Sequence, residues 1–344
     1  MTTFSPVAGD AVWMSADYQD PAKYTVSFSD DELAELGAMA RKAKSQGTTV
    51  ENVEASFYDW PAVQAKMTSL LPVLKSGRGF FILGELPEDR FDKEDMALIC
   101  WGLGGSIGAC TSQSAKGDRL GHLRDMSAVD PNVRAYQNRN KLNAHTDFTE
   151  VVGLMCLRDA KTGGETPVSS ALAVHNRIGE ERPDLYEILC RGFRYHRRGE
   201  QQPGEPNLTD HRVPVFSRKG DTVSCRFIRP YIEGAAQELG VPLTDAEVEA
   251  LDLVQSLADS DEFRLDLRLA PGTMVLFNNY TMLHSRRPFT DHQDEDRKRH
   301  LLRMWLLPED FRETVPEIEI FSTKGGIQKS DISGSSFNWG VGGQ

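Results

Sequence analysis

His145, Asp147 and His284 are the residues whose types and spacing could do metal chemistry. The triplet His145-Thr146-Asp147 sets an imidazole and a carboxylate two residues apart. Side chains on a strand alternate with period two, so both point to one face and can reach one ion while Thr146 points away. Two donors leave a metal undersupplied. A distant histidine would complete the two-histidine, one-carboxylate set that holds non-haem Fe(II) and leaves coordination positions open. His284 is the candidate, just beyond the apolar run Thr273 to Phe277 and the turn signal Asn278-Asn279. By itself it would be an ordinary packed histidine. A second triplet, His292-Gln293-Asp294, lies in the charge-dense run Asp291 to Arg299 and reads as a solvated loop. The first leads instead into Val151 to Leu157, an apolar run suited to a buried strand.

Two arginines suggest an anion clamp. Arg299 and Arg303 share a face whether their segment is helix or strand, because a spacing of four satisfies both periods. On a strand they stand about 13 Å apart at roughly 3.3 Å per residue, so they take different partners. The planar guanidinium fork matches a carboxylate with two parallel hydrogen bonds. The competing reading pairs both with acidic neighbours such as Asp291 or Glu295.

Several elements must position these groups. Ser29 and Glu32 form a capping box, which predicts a helix from Asp30 to about Ser45 that ends at Gly47. A second helix is expected from Pro61 to Leu71, stopped by Pro72. Gly79 to Gly84 reads as a buried strand, and a third helix runs from Lys93 to about Leu103 behind an Asp92 cap. Lys161 to Ser170 is a glycine turn leading to a hydroxyl-rich strand, for which a plain hairpin is the bland reading. Helical segments follow at Ala173 to Ile178 and Pro183 to Cys190. A polar, irregular insertion at about 196–215 could cover a site as a lid. Thr244 and Glu247 form another capping box ahead of the stripe Val248, Leu251, Val254 and Leu257. The tail from Ser333 to Gln344 is rich in glycine and serine and is assigned no chemistry.

Composition narrows the classes. The 344 residues carry 39% hydrophobic residues and a net charge of −12, which suits a core-forming protein and disfavours nucleic acid or anionic membranes as partners. One domain spanning 1–344, with helices over about 29–75 packed on a β core, is the expected organisation. No stretch approaches the roughly 18 apolar residues of a membrane span, and the start lacks a leader pattern, so a cytoplasmic location is expected. Five cysteines without a CxxC pair suit reduced, buried thiols.

The order His145-Thr146-Asp147, Gly163-Gly164-Glu165-Thr166, His284 and Arg299-His300-Leu301-Leu302-Arg303 resembles the taurine dioxygenase and clavaminate synthase-like superfamily of Fe(II)/2-oxoglutarate-dependent oxygenases. The resemblance covers roughly Gly79 to Leu306. It implies a mainly β fold with surrounding helices, built on a double-stranded β-helix or jelly-roll core. It makes His145, Asp147 and His284 the iron ligands. Arg299 matches the arginine on the distal carboxylate of 2-oxoglutarate, Thr166 a hydroxyl that assists it, and Arg303 a position that in some members binds an anionic group of the prime substrate. The spacing from the distal histidine varies in the family, so the two arginines could exchange roles. The implied cofactor is Fe(II), with 2-oxoglutarate and O2 as cosubstrates, acting on a small molecule that is anionic or amino-acid-like. Hydroxylation is the default outcome, and Asp147 disfavours halogenation, for which relatives replace the carboxylate by a small residue. Two other classes remain: a cupin-like metalloenzyme without 2-oxoglutarate, and a ligand-binding member of the fold without turnover.

Overall fold

The computed structural model describes residues 4–127 and 137–330, so the serine- and glycine-rich tail falls outside the described residues. The first half of the chain contains β1 (Thr25–Ser27), α1 (Asp30–Gln46), α2 (Pro61–Lys75), β2 (Phe80–Gly84), α3 (Lys93–Gly105), β3 (Ala109–Thr111), β4 (Leu120–Leu123), β5 (Leu142–His145), β6 (Val151–Arg158), β7 (Thr162–Gly163) and β8 (Thr166–Ser170). The second half contains α4 (Ala171–Glu181), α5 (Pro183–Arg191), β9 (Phe216–Lys219), β10 (Thr222–Cys225), α6 (Arg229–Leu239), α7 (Asp245–Asp259), β11 (Leu265–Leu267), β12 (Met274–Asn278), β13 (Met282–Arg286), β14 (Phe289–Thr290) and β15 (His300–Leu307).

Two sheets form the jelly-roll core. The larger has the order β1-β2-β12-β6-β15-β3 with β4 also on β15, and the smaller has the order β11-β8-β13-β5. Their central strands are apolar runs rather than alternating patterns because both faces are covered. On β15, Leu301 and Trp305 point into the space between the sheets, while Leu302, Met304 and Leu306 pack outward against the layer built on α1, α2 and α3. Strand parity therefore sends Arg303, which alternates with these outward residues, to the interior.

Local chemistry explains the outer helices. Ser29 Oγ accepts from the Glu32 amide at 3.3 Å and Glu32 returns a bond to the Ser29 amide at 2.7 Å, while Gly47 ends α1 at φ +64°. The start of α2 has no capping side chain of its own. Glu35 of α1 supplies one, accepting from the Ala62 and Val63 amides at 3.0 Å. The expected stop at Pro72 does not occur: α2 continues to Lys75 with Pro72 inside it. A proline in the last turn forfeits one intrahelical bond. The carbonyl of Pro72 then takes the Ser76 and Gly77 amides at 3.0 Å, so the end of the helix is still satisfied.

Two other segments differ from expectation. Thr162 to Ser170 is no hairpin, since β7 pairs with β14 and β8 pairs with β11 and β13. Helix α6 had no sequence signal, because Pro230 and Gly234 weaken its helix propensity. Gly234 serves close packing: a Cβ there would lie 2.7 Å from Nη2 of Arg198 in the 196–215 segment. That segment has no regular element beyond the single bridges His196 to Leu208 and Phe193 to Val213. Polar bonds secure it. Arg197 donates to the Pro206 and Leu208 carbonyls at 3.0 Å and to the Ile320 carbonyl at 2.7 Å, and Glu200 accepts from the Ala115 amide at 2.5 Å.

Candidate metal centre

His145 ends β5 and His284 sits in the middle of β13, and the two are direct partners across this antiparallel pair. Their ring centroids lie 4.2 Å apart. His145, Asp147 and His284 offer ligand atoms that all lie within 4.8 Å of one another, the one such group among the described residues. His292 and Asp294 lie in the loop ahead of β15, as expected.

The donor chemistry suits a divalent ion. The ring of His145 lies 2.9 Å from the Asn143 carbonyl through Nδ1. A carbonyl only accepts, so Nδ1 carries the proton and Nε2 keeps its lone pair. Burial, reinforced by the neighbouring His145, pushes His284 down to about 3, so it is neutral at ordinary pH. Burial also lowers His145, against the opposing pull of Asp147. Burial raises Asp147, but Arg303, then the neighbouring His284 and His145 and the bond from Trp305, outweigh it and hold the carboxyl below its usual range. Two neutral imidazoles and one carboxylate therefore face one point. Nε2 of His284 faces the carboxylate, 3.8 Å from Oδ2 of Asp147.

Asp147 arrives by a different route from the expected one. β5 stops at His145, so strand parity alone does not place the carboxylate. Asn279, fully buried, accepts from the Asp147 amide at 2.8 Å and donates to the carbonyls of Asp147 at 2.7 Å and Thr149 at 2.8 Å. Arg226 also donates to the Asp147 carbonyl, and Thr146 exchanges bonds with the backbone of Phe227. These contacts replace the strand ladder. The Asp147 carboxylate accepts through Oδ2 from Trp305 Nε1 at 2.9 Å and from Arg303 Nη1 at 3.4 Å.

The arginines have different partners. Arg299 precedes β15, is 3% exposed, and gives its backbone amide to Asp291 at 2.8 Å. Its guanidinium donates to the Gly164 carbonyl at 3.1 Å and lies 5.1 Å from the Phe289 ring. The competing reading thus fails for this side chain, since Asp291 takes the amide instead. Gly164, at φ +81°, allows the approach: a Cβ there would lie 2.9 Å from Arg299 Nε. Thr166 is buried on β8, two residues further on. Arg303 donates through Nε to Gln113 at 2.6 Å and rests 5.2 Å from the Trp305 ring.

Sequence reasoning overlooked several residues here: Gln113, Arg226, Asn279, Arg286 and Trp305. Two carried a readable signal. Arg286 has the same parity as His284, and Trp305 the same parity as Arg303. Arg286 is buried, donates to the Asn140 carbonyl at 2.7 Å and to Asn138 at 3.2 Å, and shares the Phe289 ring with Arg299. Burial, then repulsion from Arg299, lowers it to about 10. Arg226, Asn279 and Gln113 act through long-range contacts that spacing does not reveal.

A jelly-roll core, a histidine-aspartate-histidine cluster and buried guanidinium groups behind it define an iron- and 2-oxo-acid-dependent oxygenase. Residues 43–305 match the model of the taurine catabolism dioxygenase TauD, TfdA family, and the chain belongs to that family. It is 29% identical over 314 residues to the FR-33289 synthase of Streptomyces rubellomurinus (strain ATCC 31215), covering 90% of this chain and 92% of that one. Among solved structures, an asparagine oxygenase in complex with Fe(II), 3-hydroxyasparagine and succinate superposes with a TM-score of 0.65 at 16% identity, over 83% of this chain and 93% of that one. The non-haem iron oxygenase OrfP with Fe and alpha-ketoglutaric acid superposes with a TM-score of 0.57 at 14% identity, over 83% and 94%. The protein is an Fe(II)/2-oxoglutarate-dependent dioxygenase acting on a small molecule. No helix among the described residues is long and apolar enough to cross a membrane.

Proposed function

We propose that His145, Asp147 and His284 hold the iron, that Arg299 assisted by Thr166 binds the distal carboxylate of 2-oxoglutarate, and that Arg303 meets an anionic group of the prime substrate. The observation that carries this reading is the convergence of two neutral imidazoles and one ionised carboxylate. When bound, iron with 2-oxoglutarate and O2 supplies oxidative decarboxylation to succinate and CO2 coupled to oxidation of a C–H bond.

The residues of the chain orient and select. The Arg299 fork is held by Gly164 and Phe289 and its backbone by the Asp291 carboxylate, so the side chain is ordered before a ligand arrives, which lowers the entropic cost of binding. Arg303 bonds to Asp147 itself, and this supports giving it the metal end of the site and Arg299 the distal end. Phe148, next to Asp147, packs edge-on against Tyr231, Trp305 and Phe321. The 196–215 segment, bonded to the strand-free stretch around Ile320, acts as a lid over one domain that spans 1–344. Relatives named as a uridine-5'-phosphate dioxygenase and a gamma-butyrobetaine dioxygenase support an anionic or amino-acid-like substrate, and hydroxylation is the proposed outcome. The free cysteines support a cytoplasmic setting. A cupin-like reading without 2-oxoglutarate would leave the buried Arg299 guanidinium without an anion to serve, and a non-catalytic reading does not account for the intact donor set.

The test is succinate formation from 2-oxoglutarate in air with Fe(II), screened against amino acids and small carboxylates. Stimulated turnover with a product heavier by one oxygen supports the proposal. The absence of succinate with iron-loaded protein across the screen contradicts it.

A further inference from the structure

Trp305 stands two residues beyond Arg303 on β15 and is 2% exposed. Its indole N–H donates to Oδ2 of Asp147 at 2.9 Å. Oδ1 lies 4.0 Å from Nε2 of His145, and Oδ2 lies 3.8 Å from Nε2 of His284. Oδ2 also accepts from the indole, and that bond makes the two carboxylate oxygens inequivalent. An indole N–H is a donor only, so this bond cannot reverse its sense. Arg303 reaches the same Oδ2 at the longer distance of 3.4 Å and divides its donors with Gln113, so Trp305 is the tighter constraint. The ring itself is held, edge-on to Phe148 at 79° on one side and beneath the Arg303 guanidinium on the other.

We infer that Trp305 is a positioning residue for the metal centre: it occupies Oδ2, so that Asp147 offers Oδ1 alone to the ion. A single-oxygen carboxylate ligand leaves one more coordination position for cosubstrates than a chelating one. The inference rests on the reading of His145, Asp147 and His284 as ligands. Partners in the second layer around a metal set the orientation of its ligands, and losing one typically weakens metal binding about 10- to 100-fold.

The experiment uses Mn(II) and Co(II) as probes, added to the full chain without 2-oxoglutarate. Trp305→Phe removes the donor and keeps an aromatic ring. It is expected to weaken Mn(II) binding about 10- to 100-fold and to change the visible Co(II) spectrum, with the far-ultraviolet circular dichroism of the metal-free protein unchanged. Trp101→Phe, on the outward-packed α3, serves as the control that binds like wild type. Equal Mn(II) affinity and identical Co(II) spectra in Trp305→Phe and wild type would overturn the inference while leaving the ligand assignment standing. Failure of wild type to bind Mn(II) would overturn that assignment instead. Should Trp305→Phe not fold, indole 15N NMR of the wild type and Asp147→Ala decides. The inference requires one indole resonance to move upfield in Asp147→Ala, and five unmoved resonances would contradict it.

Discussion

His145 and His284 are cross-strand partners with ring centroids 4.2 Å apart, and both rings are kept neutral by burial. Close neutral imidazoles are poor ion-pair partners for Asp147 but good metal donors. His145→Ala and His284→Ala should each weaken Mn(II) binding by at least about 100-fold, more than loss of a supporting residue costs. Equilibrium dialysis checks this, and the fold, read by circular dichroism, should persist.

Arg299 is ordered from below by Gly164. Arg299→Gln should raise the KM for 2-oxoglutarate about 10- to 100-fold, since a hydrogen bond to a charged group is worth about 1.5–3 kcal/mol. Arg299→Lys should recover only part of this, because an ammonium lacks the paired donors of the fork. Gly164→Ala should also raise the KM, through the 2.9 Å approach to Arg299 Nε and the positive φ. Steady-state kinetics on all three variants separates these effects.

Asn279 carries the loop that bears Asp147. Asn279→Ala deletes three buried hydrogen bonds to the backbone at residues 147 and 149. At about 1 kcal/mol each, the loss should be about 3 kcal/mol of stability, read by denaturant unfolding. Metal affinity should fall as well, since the aspartate loses its support.

Acid should destabilise the fold through histidines buried in the neutral state. Burial, then His122 and nearby cations, pushes His300 down to about 3, and burial pushes His175 down to about 4. Free histidine titrates near 6.5. The unfolded chain therefore binds more protons than the folded one over this window, and stability rises with pH there. The contribution is fully present above about pH 6.5 and is lost as the pH falls toward 4 and 3. Melting temperatures between pH 7 and 4 should drop less steeply in His300→Gln than in wild type.

Much of the site was legible because strand parity is a strong local rule. It put His145 and Asp147 on one side in the reading of the sequence, and it would have added Arg286 to His284 and Trp305 to Arg303. Asp147 does lie beside His145 and His284, but not through parity: the strand ends two residues before it, and Asn279 and Arg226 carry the aspartate into place. Those two are invisible to spacing, being brought in by chain far away in sequence. Among the elements, the capping boxes at Ser29 and Thr244 were dependable because the signal is confined to four residues. Pro72 misled because tertiary packing and a satisfied last turn outweigh one lost bond. Helix α6 went unread because Pro230 and Gly234 lower its local helix propensity, which tertiary packing overrides.

The most direct test of the iron and 2-oxoglutarate assignment is the visible absorption of the protein with Fe(II) and 2-oxoglutarate under strict exclusion of O2. A metal-to-ligand charge-transfer band that saturates at one iron per chain and is missing in His145→Ala is the expected result. No band at saturating 2-oxoglutarate, or an unchanged band in His145→Ala, would contradict the account.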